Sequence, residues 1–187
     1  MTALEVHRDE GPLVSVASPG TLAVPEVVLL AVAVGLTCMA LAADRLLPVA
    51  YPAVTVLVVA TWLLAMTARW GRSLPRLDWP IPALLRVVEY GAVLALVGES
   101  SWTYTLLAIL AFHHYDIVYR RSLRGDDPPR WLQLAIGGWA VRLPVLAIAS
   151  ALGHGRSMAV LLAVYLSPLV VGESVTGWLR QRATARS

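Results

Sequence analysis

Six apolar runs, each long enough to cross a bilayer, fill most of this chain and leave little room for any other fold. A membrane-spanning helix needs about 20 mostly apolar residues. Runs of that size fall at residues 24–43, 47–67, 81–98, 101–119, 131–152 and 156–179. The Asp44-Arg45 turn parts the first two, and the connectors 69–80 and 120–130 are too charged and proline-broken to insert. With 58% hydrophobic and 14% charged residues, the chain is too apolar for an ordinary water-soluble domain. The expectation is an all-α polytopic membrane protein, a bundle of about six transmembrane helices over residues 23–180. A mobile tail over 1–22 precedes it, and a basic tail over 181–187 follows.

Arginine placement orients such a bundle. All fifteen basic residues are arginine. Eleven lie on the side shared by the N-terminal tail, the 69–80 and 120–130 connectors and the C-terminal tail; Arg45 and Arg156 lie opposite. The positive-inside rule then puts both termini in the cytoplasm, with the bundle in the plasma (inner) membrane. Trp70, Trp79, Trp102, Trp131 and Trp178 fall at span ends, where indoles favour the interface.

Orientation makes the ionisable residues inside the spans informative, because charge at membrane depth is costly and usually faces a bundle interior or a wet cavity. At a rise of ~1.5 Å per residue, Arg86 and Glu89 sit one to two turns in from the cytoplasmic side. His113 and Asp116 reach a similar depth from the other direction, Arg142 lies deeper, and Glu173 is two turns from the end of the sixth span. His113, Asp116 and Arg120 form one helical stripe with Leu106 and Ile109, while His114 points about 100° away. Arg86, Glu89 and Tyr90 share a face of the third span. The six groups Arg86, Glu89, His113, Asp116, Arg142 and Glu173 are expected to converge on one cavity open to the cytoplasm, with an arginine meeting a carboxylate, His113 facing the lumen and His114 packed on a neighbouring helix. A structural ion-pair network is the plainer reading of the same set. Pro144 and Pro168 interrupt the last two spans and free the carbonyls of Ala140 and Val164, which protein or a cavity must then satisfy.

The chemistry these residues offer is acid–base and phosphate binding. His113 suits a general acid/base, with Asp116 and Glu89 as its orienters or as cation ligands. Arg86, Arg120 and Arg142 suit a phosphate clamp, helped by Tyr90 and Glu173. Adjacent histidines on a helix point apart and no HExxH or Cys/His spacing occurs, so no transition-metal site is expected. A Mg²⁺ shared with a substrate phosphate fits better, since Mg²⁺ uses few protein carboxylates. Asp126-Asp127 before Pro128-Pro129 reads as a solvated turn. The GESS turn at residues 98–101 lacks the nucleophile-elbow pattern and caps the fourth helix. Nothing in the pattern points to nucleic acid.

The motifs DWPIPALLRVVEYG (78–91), FHHYDIVYR (112–120), PPRWL (128–132), GGWAVRL (137–143) and GESVTGW (172–178) carry a resemblance. Over residues 78–179 the chain resembles an actinobacterial membrane domain of unknown function, often the C-terminal part of proteins with nucleotidyltransferase-like and CDP-alcohol phosphatidyltransferase-like modules. The CDP-alcohol phosphotransferase pattern itself is absent here. The resemblance implies a place in cell-envelope lipid metabolism. Relatives carry an acidic residue and a glycine where this chain has Ala140 and Val141.

Three functions follow as expectations. The first is a membrane enzyme, or enzyme subunit, acting on a phosphate-bearing or isoprenoid membrane lipid at the cytoplasmic leaflet. The second is a structural partner docking another membrane enzyme or a second copy of itself. The third is a small transporter or flippase for an anionic or lipid-linked solute, although the outer halves of the last four spans are almost uncharged apart from Glu99.

Overall fold

The computed structural model of the 187-residue chain describes residues 22–46, 51–124 and 129–184. Among the described residues there are seven helices and no strand: α1 Glu26–Leu46, α2 Tyr51–Ala68, α3 Ile81–Val97, α4 Ser101–Arg124, α5 Arg130–Ile136, α6 Gly138–Ala151 and α7 Gly155–Thr184. Helices α5 and α6 are two halves of one rod broken at Gly137, so six rods follow one another up and down. The expected N-terminal tail, apart from Leu22, and the Asp126-Asp127 turn lie outside the described residues.

Local chemistry explains where the helices begin and end. Pro82 sits in the first turn of α3, where its missing N–H is no loss, and Gly98 closes that helix at φ 75° by donating its N–H to the Leu94 carbonyl. Ser100 Oγ accepts the Thr103 N–H at 3.1 Å, so the serine-rich turn does cap α4. Helix α4 runs past the expected end at Tyr119 to Arg124, and α7 runs on to Thr184 into the stretch read as a tail. Helix α4 meets no glycine or proline before Arg124, whereas Pro168, Gly172 and Gly177 lie inside α7 without ending it.

The fifth span departs from expectation in an instructive way. Pro144 stays inside α6, and the break falls instead at Gly137, a left-handed residue at φ 77° whose N–H caps α5 on Gln133. The carbonyl that Pro144 frees, that of Ala140, accepts the Trp62 indole N–H at 3.1 Å. The carbonyl freed by Pro168, that of Val164, lies 3.5 Å from the Ser167 hydroxyl. Both orphaned acceptors are met by side chains.

Helix α3 is the axis of the molecule. It packs against α1, α2, α4, α6 and α7, and ten of its 17 residues are buried. Helix α1 crosses it closely, since a Cβ on Gly91 would run into the Thr37 methyl. Helices α4 and α7 run parallel, their buried stripes Thr103, Leu106, Leu110, His113, Ile117, Arg120 and Ala159, Ala163, Leu166, Val170, Glu173 keeping the three–four alternation of a coiled-coil seam. At the entry to α1, Leu22 N–H donates to Trp70 O at 2.7 Å and Arg72 N–H to Val24 O at 3.0 Å. Gly71 is required there, because a Cβ would stand 2.7 Å from the Glu26 nitrogen.

Three helical stretches, Glu26–Ala43, Trp131–Ala151 and Gly155–Leu179, are long and apolar enough to cross a membrane. That is fewer than the six expected. Pro52–Ala68 is apolar but shorter, α3 has only 17 residues, and the polar stripe of α4 lowers its hydropathy. The surface is nonetheless apolar: Val32, Val56, Leu63, Ile148, Leu161 and Val164 are each more than half exposed, whereas Glu89 and Arg142 are buried. Extensive exposed apolar surface marks a face that meets membrane or protein.

Candidate functional site

The central helix carries a fully buried carboxylate. Glu89 is 0% exposed, which requires that its charge be met by protein groups. Arg142, one turn into α6, donates to its Oε1 from Nε at 3.0 Å and from Nη2 at 2.6 Å. Arg86, one turn before Glu89, donates to Oε2 at 2.8 Å. Arg142 Nη1 also reaches the Ile136 carbonyl at 3.4 Å, tying the guanidinium to the end of α5. Two guanidiniums thus share one carboxylate.

His114 of α4 closes the network. Its Nε2 accepts from Arg86 Nη1 and lies 3.6 Å from Glu89 Oε2, while its Nδ1 is 2.7 Å from the Tyr90 hydroxyl. An imidazole that accepts at Nε2 carries its proton at Nδ1 when neutral, so Nδ1–H donates to Tyr90. The Tyr90 and His114 rings stack at 5.9 Å. Arg86 and His114 also line an apolar groove of about 430 Å³, walled by Pro82, Ala83, Tyr115 and Val118. The Arg86 side chain is 15% exposed, against 4% for Arg142.

A second cluster joins α4 to α7. Arg120 Nε lies 2.8 Å from Asp116 Oδ2, at an angle too bent for a hydrogen bond, so the contact is coulombic. Its Nη1 reaches Glu173 Oε1 at 3.3 Å and its Nη2 the Glu173 carbonyl at 3.0 Å. Gly177 makes room for it, since a Cβ there would stand 3.2 Å from Nη2. Asp116 also lines a groove of about 520 Å³ with Phe112, Tyr119, Ser174 and Trp178. Both clusters lie toward the end of the bundle that holds the 69–80 connector.

The expected residues are therefore brought together in two groups rather than one. Arg86, Glu89, Tyr90 and Arg142 assemble around α3; Asp116, Arg120 and Glu173 assemble between α4 and α7. The two grooves share only Tyr115. An arginine does meet a carboxylate, and both Arg86 and Arg142 do so on Glu89. His114 packs on the neighbouring helix α3, as expected, whereas the expected lumen position of His113 is not found at either groove. His113 belongs to the buried seam of α4, 4% exposed, and lines neither groove. His114, pointed toward α3, is the one that reaches Arg86. The matching spacing of Arg86 and Tyr90, one turn apart on α3, was the available signal for a partner there.

The donor set does not suit the Mg²⁺ that the sequence allowed. Glu89, Asp116 and Glu173 each engage a guanidinium. Among the described residues no three histidine, cysteine or acidic side chains gather as metal ligands.

Fold and site together define an all-helical bundle with an apolar exterior and buried arginine–carboxylate clusters. The chain belongs to the family of unknown function DUF5941, whose model matches residues 1–187 and so takes in the first two helices as well. No curated protein matches it, and no solved structure does.

Proposed function

We propose that this chain is a multi-pass plasma-membrane protein with six crossings and both termini cytoplasmic. It acts on a phosphate-bearing or isoprenoid lipid of the cell envelope, as an enzyme or as the lipid-binding subunit of one. The observation that carries this reading is the charge imbalance around Glu89: two guanidiniums serve one carboxylate, and the more exposed of them, Arg86, opens with His114 onto an apolar groove. A positive excess in a medium of low dielectric favours an anion, and the guanidinium fork matches phosphate oxygens. The apolar walls suit the lipid portion behind such a headgroup.

In this reading Arg86 holds the anionic headgroup and His114 is the proton carrier beside it, oriented through Nδ1 by Tyr90. Glu89 and Arg142 are positioning residues, because they are committed to each other and Glu89 in turn holds Arg86. Support for the six crossings comes from enclosure and arginine placement. Helix α3 is short, but five neighbours surround it and its charges meet protein rather than lipid. The eleven-to-two arginine count supports the cytoplasmic placement of both termini.

The test is lipid binding by the purified full chain in neutral detergent, read by native mass spectrometry. A glycerol-headgroup phospholipid is expected to be retained over diacylglycerol with the same chains. Arg86→Gln should lower that retention about tenfold, a loss of ~1.4 kcal/mol. Equal retention of both lipids, or an Arg86→Gln protein that binds like the parent, would refute the anionic-headgroup site and leave Glu89 and its arginines as a purely structural network.

A further inference from the structure

We infer a second binding site on the other flank of α4, an aromatic groove that takes the ammonium group of a membrane-lipid headgroup. The groove between α4 and α7, about 520 Å³, brings Phe112, Tyr115, Tyr119 and Trp178 together with the carboxylate of Asp116. The Tyr115 and Tyr119 rings stack at 5.9 Å with 23° between their planes. Phe112, Tyr115 and Trp178 are 43%, 64% and 51% exposed, so large aromatic faces open onto the groove instead of filling a core. Such faces are negative and attract diffuse cations.

Charge agrees with this. Asp116, Glu173 and Arg120 carry two formal negative charges and one positive, the reverse of the imbalance around Glu89. Among the described residues, Asp116 Oδ1 accepts only a long 3.4 Å bond from Ser174, so it retains acceptor capacity toward the groove. A bare hard cation needs several oxygen ligands, which aromatic walls do not supply. An ammonium group needs one carboxylate and π faces, and both are present. The apolar residues that continue the α7 surface, Val171, Val175 and Leu179, are more than half exposed and offer a lane for an acyl chain. This site rests on the membrane reading of the chain; it shares Tyr115 with the Arg86–His114 groove but none of that groove's charged groups.

The experiment compares an ethanolamine-headgroup with a glycerol-headgroup phospholipid of identical acyl chains, bound to the full chain in neutral detergent and read by native mass spectrometry. Both carry a phosphate; only the first carries an ammonium. The ethanolamine lipid is expected to be preferred. Asp116→Asn and Trp178→Leu should each weaken its retention about 3- to 30-fold and leave the glycerol lipid unchanged. Arg86→Gln should do the opposite, lowering glycerol-lipid retention while the ethanolamine preference persists, so the two sites succeed or fail separately. Trp178→Leu is a half-exposed substitution and decides the matter even if Asp116→Asn disturbs folding. Retention that ignores the headgroup, or a preference that survives Trp178→Leu, overturns the proposal and leaves these aromatics as ordinary interfacial anchors.

Discussion

Arg142 sets two guanidinium nitrogens on a single oxygen of Glu89, Nε at 3.0 Å and Nη2 at 2.6 Å, joining α6 to the central helix across 53 positions of chain. The same carboxylate holds Arg86 through its other oxygen, at 2.8 Å. Removing the acid while both bases stay inside leaves buried positive charge unpaired. Glu89→Ala is therefore expected to cost about 3–5 kcal/mol, seen as a large fall in thermal unfolding temperature in detergent. Adding Arg142→Met should recover part of the loss. A Glu89→Ala protein that unfolds where the parent does would show that the cluster contributes nothing to stability.

The Trp62–Ala140 bond tests the proline logic. It satisfies a carbonyl that is available because Pro144 has no N–H to offer. Trp62→Phe should cost ~1 kcal/mol in the parent and much less in a Pro144→Ala background, where the new amide can take that carbonyl. Additive losses in this double-mutant cycle would mean the indole bond does not serve the proline break.

The α1–α3 crossing depends on an absent methyl. Gly91→Ala pushes a Cβ into the Thr37 side chain and should destabilise by about 1–3 kcal/mol. Thr37→Ser removes the opposing methyl and keeps the hydroxyl that bonds Ala33 O at 2.9 Å. It should restore most of the stability lost in Gly91→Ala. No rescue would mean the helices are farther apart than described.

The two histidines should separate by phenotype. His114→Gln touches the groove and should weaken anionic-lipid retention several-fold with little change in unfolding temperature. His113→Gln sits in the buried seam of α4 and should lower stability while the folded protein still binds. The reverse pattern would return His113 to the site.

Reporter fusions measure the topology directly. Reporters at both termini are expected to face the cytoplasm, and reporters inserted after Arg45 or Gly155 to face outward. An outward C-terminus would refute six crossings and the shared depth of Arg86, Glu89, His113 and Asp116.

What the sequence by itself determined is what local chemistry controls. Run length separated the rods, Ser100 and Gly98 marked the turn between α3 and α4, and the prolines named two carbonyls that needed partners. Rise per residue put Arg86 and Glu89 at a common depth with the α4 polar residues. Only the tertiary structure decided which partners met. The sequence suggested a stripe through Leu106, Ile109, His113, Asp116 and Arg120; the packed helix buries Leu106, His113 and Arg120 of it, with Leu110 and Ile117 in place of Ile109 and Asp116. That rotation of α4 about its own axis turns His114 toward Tyr90 and leaves Asp116 beside Arg120, so one expected cavity becomes two grooves. The angle follows from how the side chains of α4 pack against those of α3 and α7. Likewise the break at Gly137 rather than Pro144 depends on neighbours: Trp62 satisfies the carbonyl Pro144 frees, while Tyr165 and Arg142 reach the Ala135 and Ile136 carbonyls at the end of α5. A helix fails where its exposed backbone groups find partners, and those partners come from elsewhere in the chain.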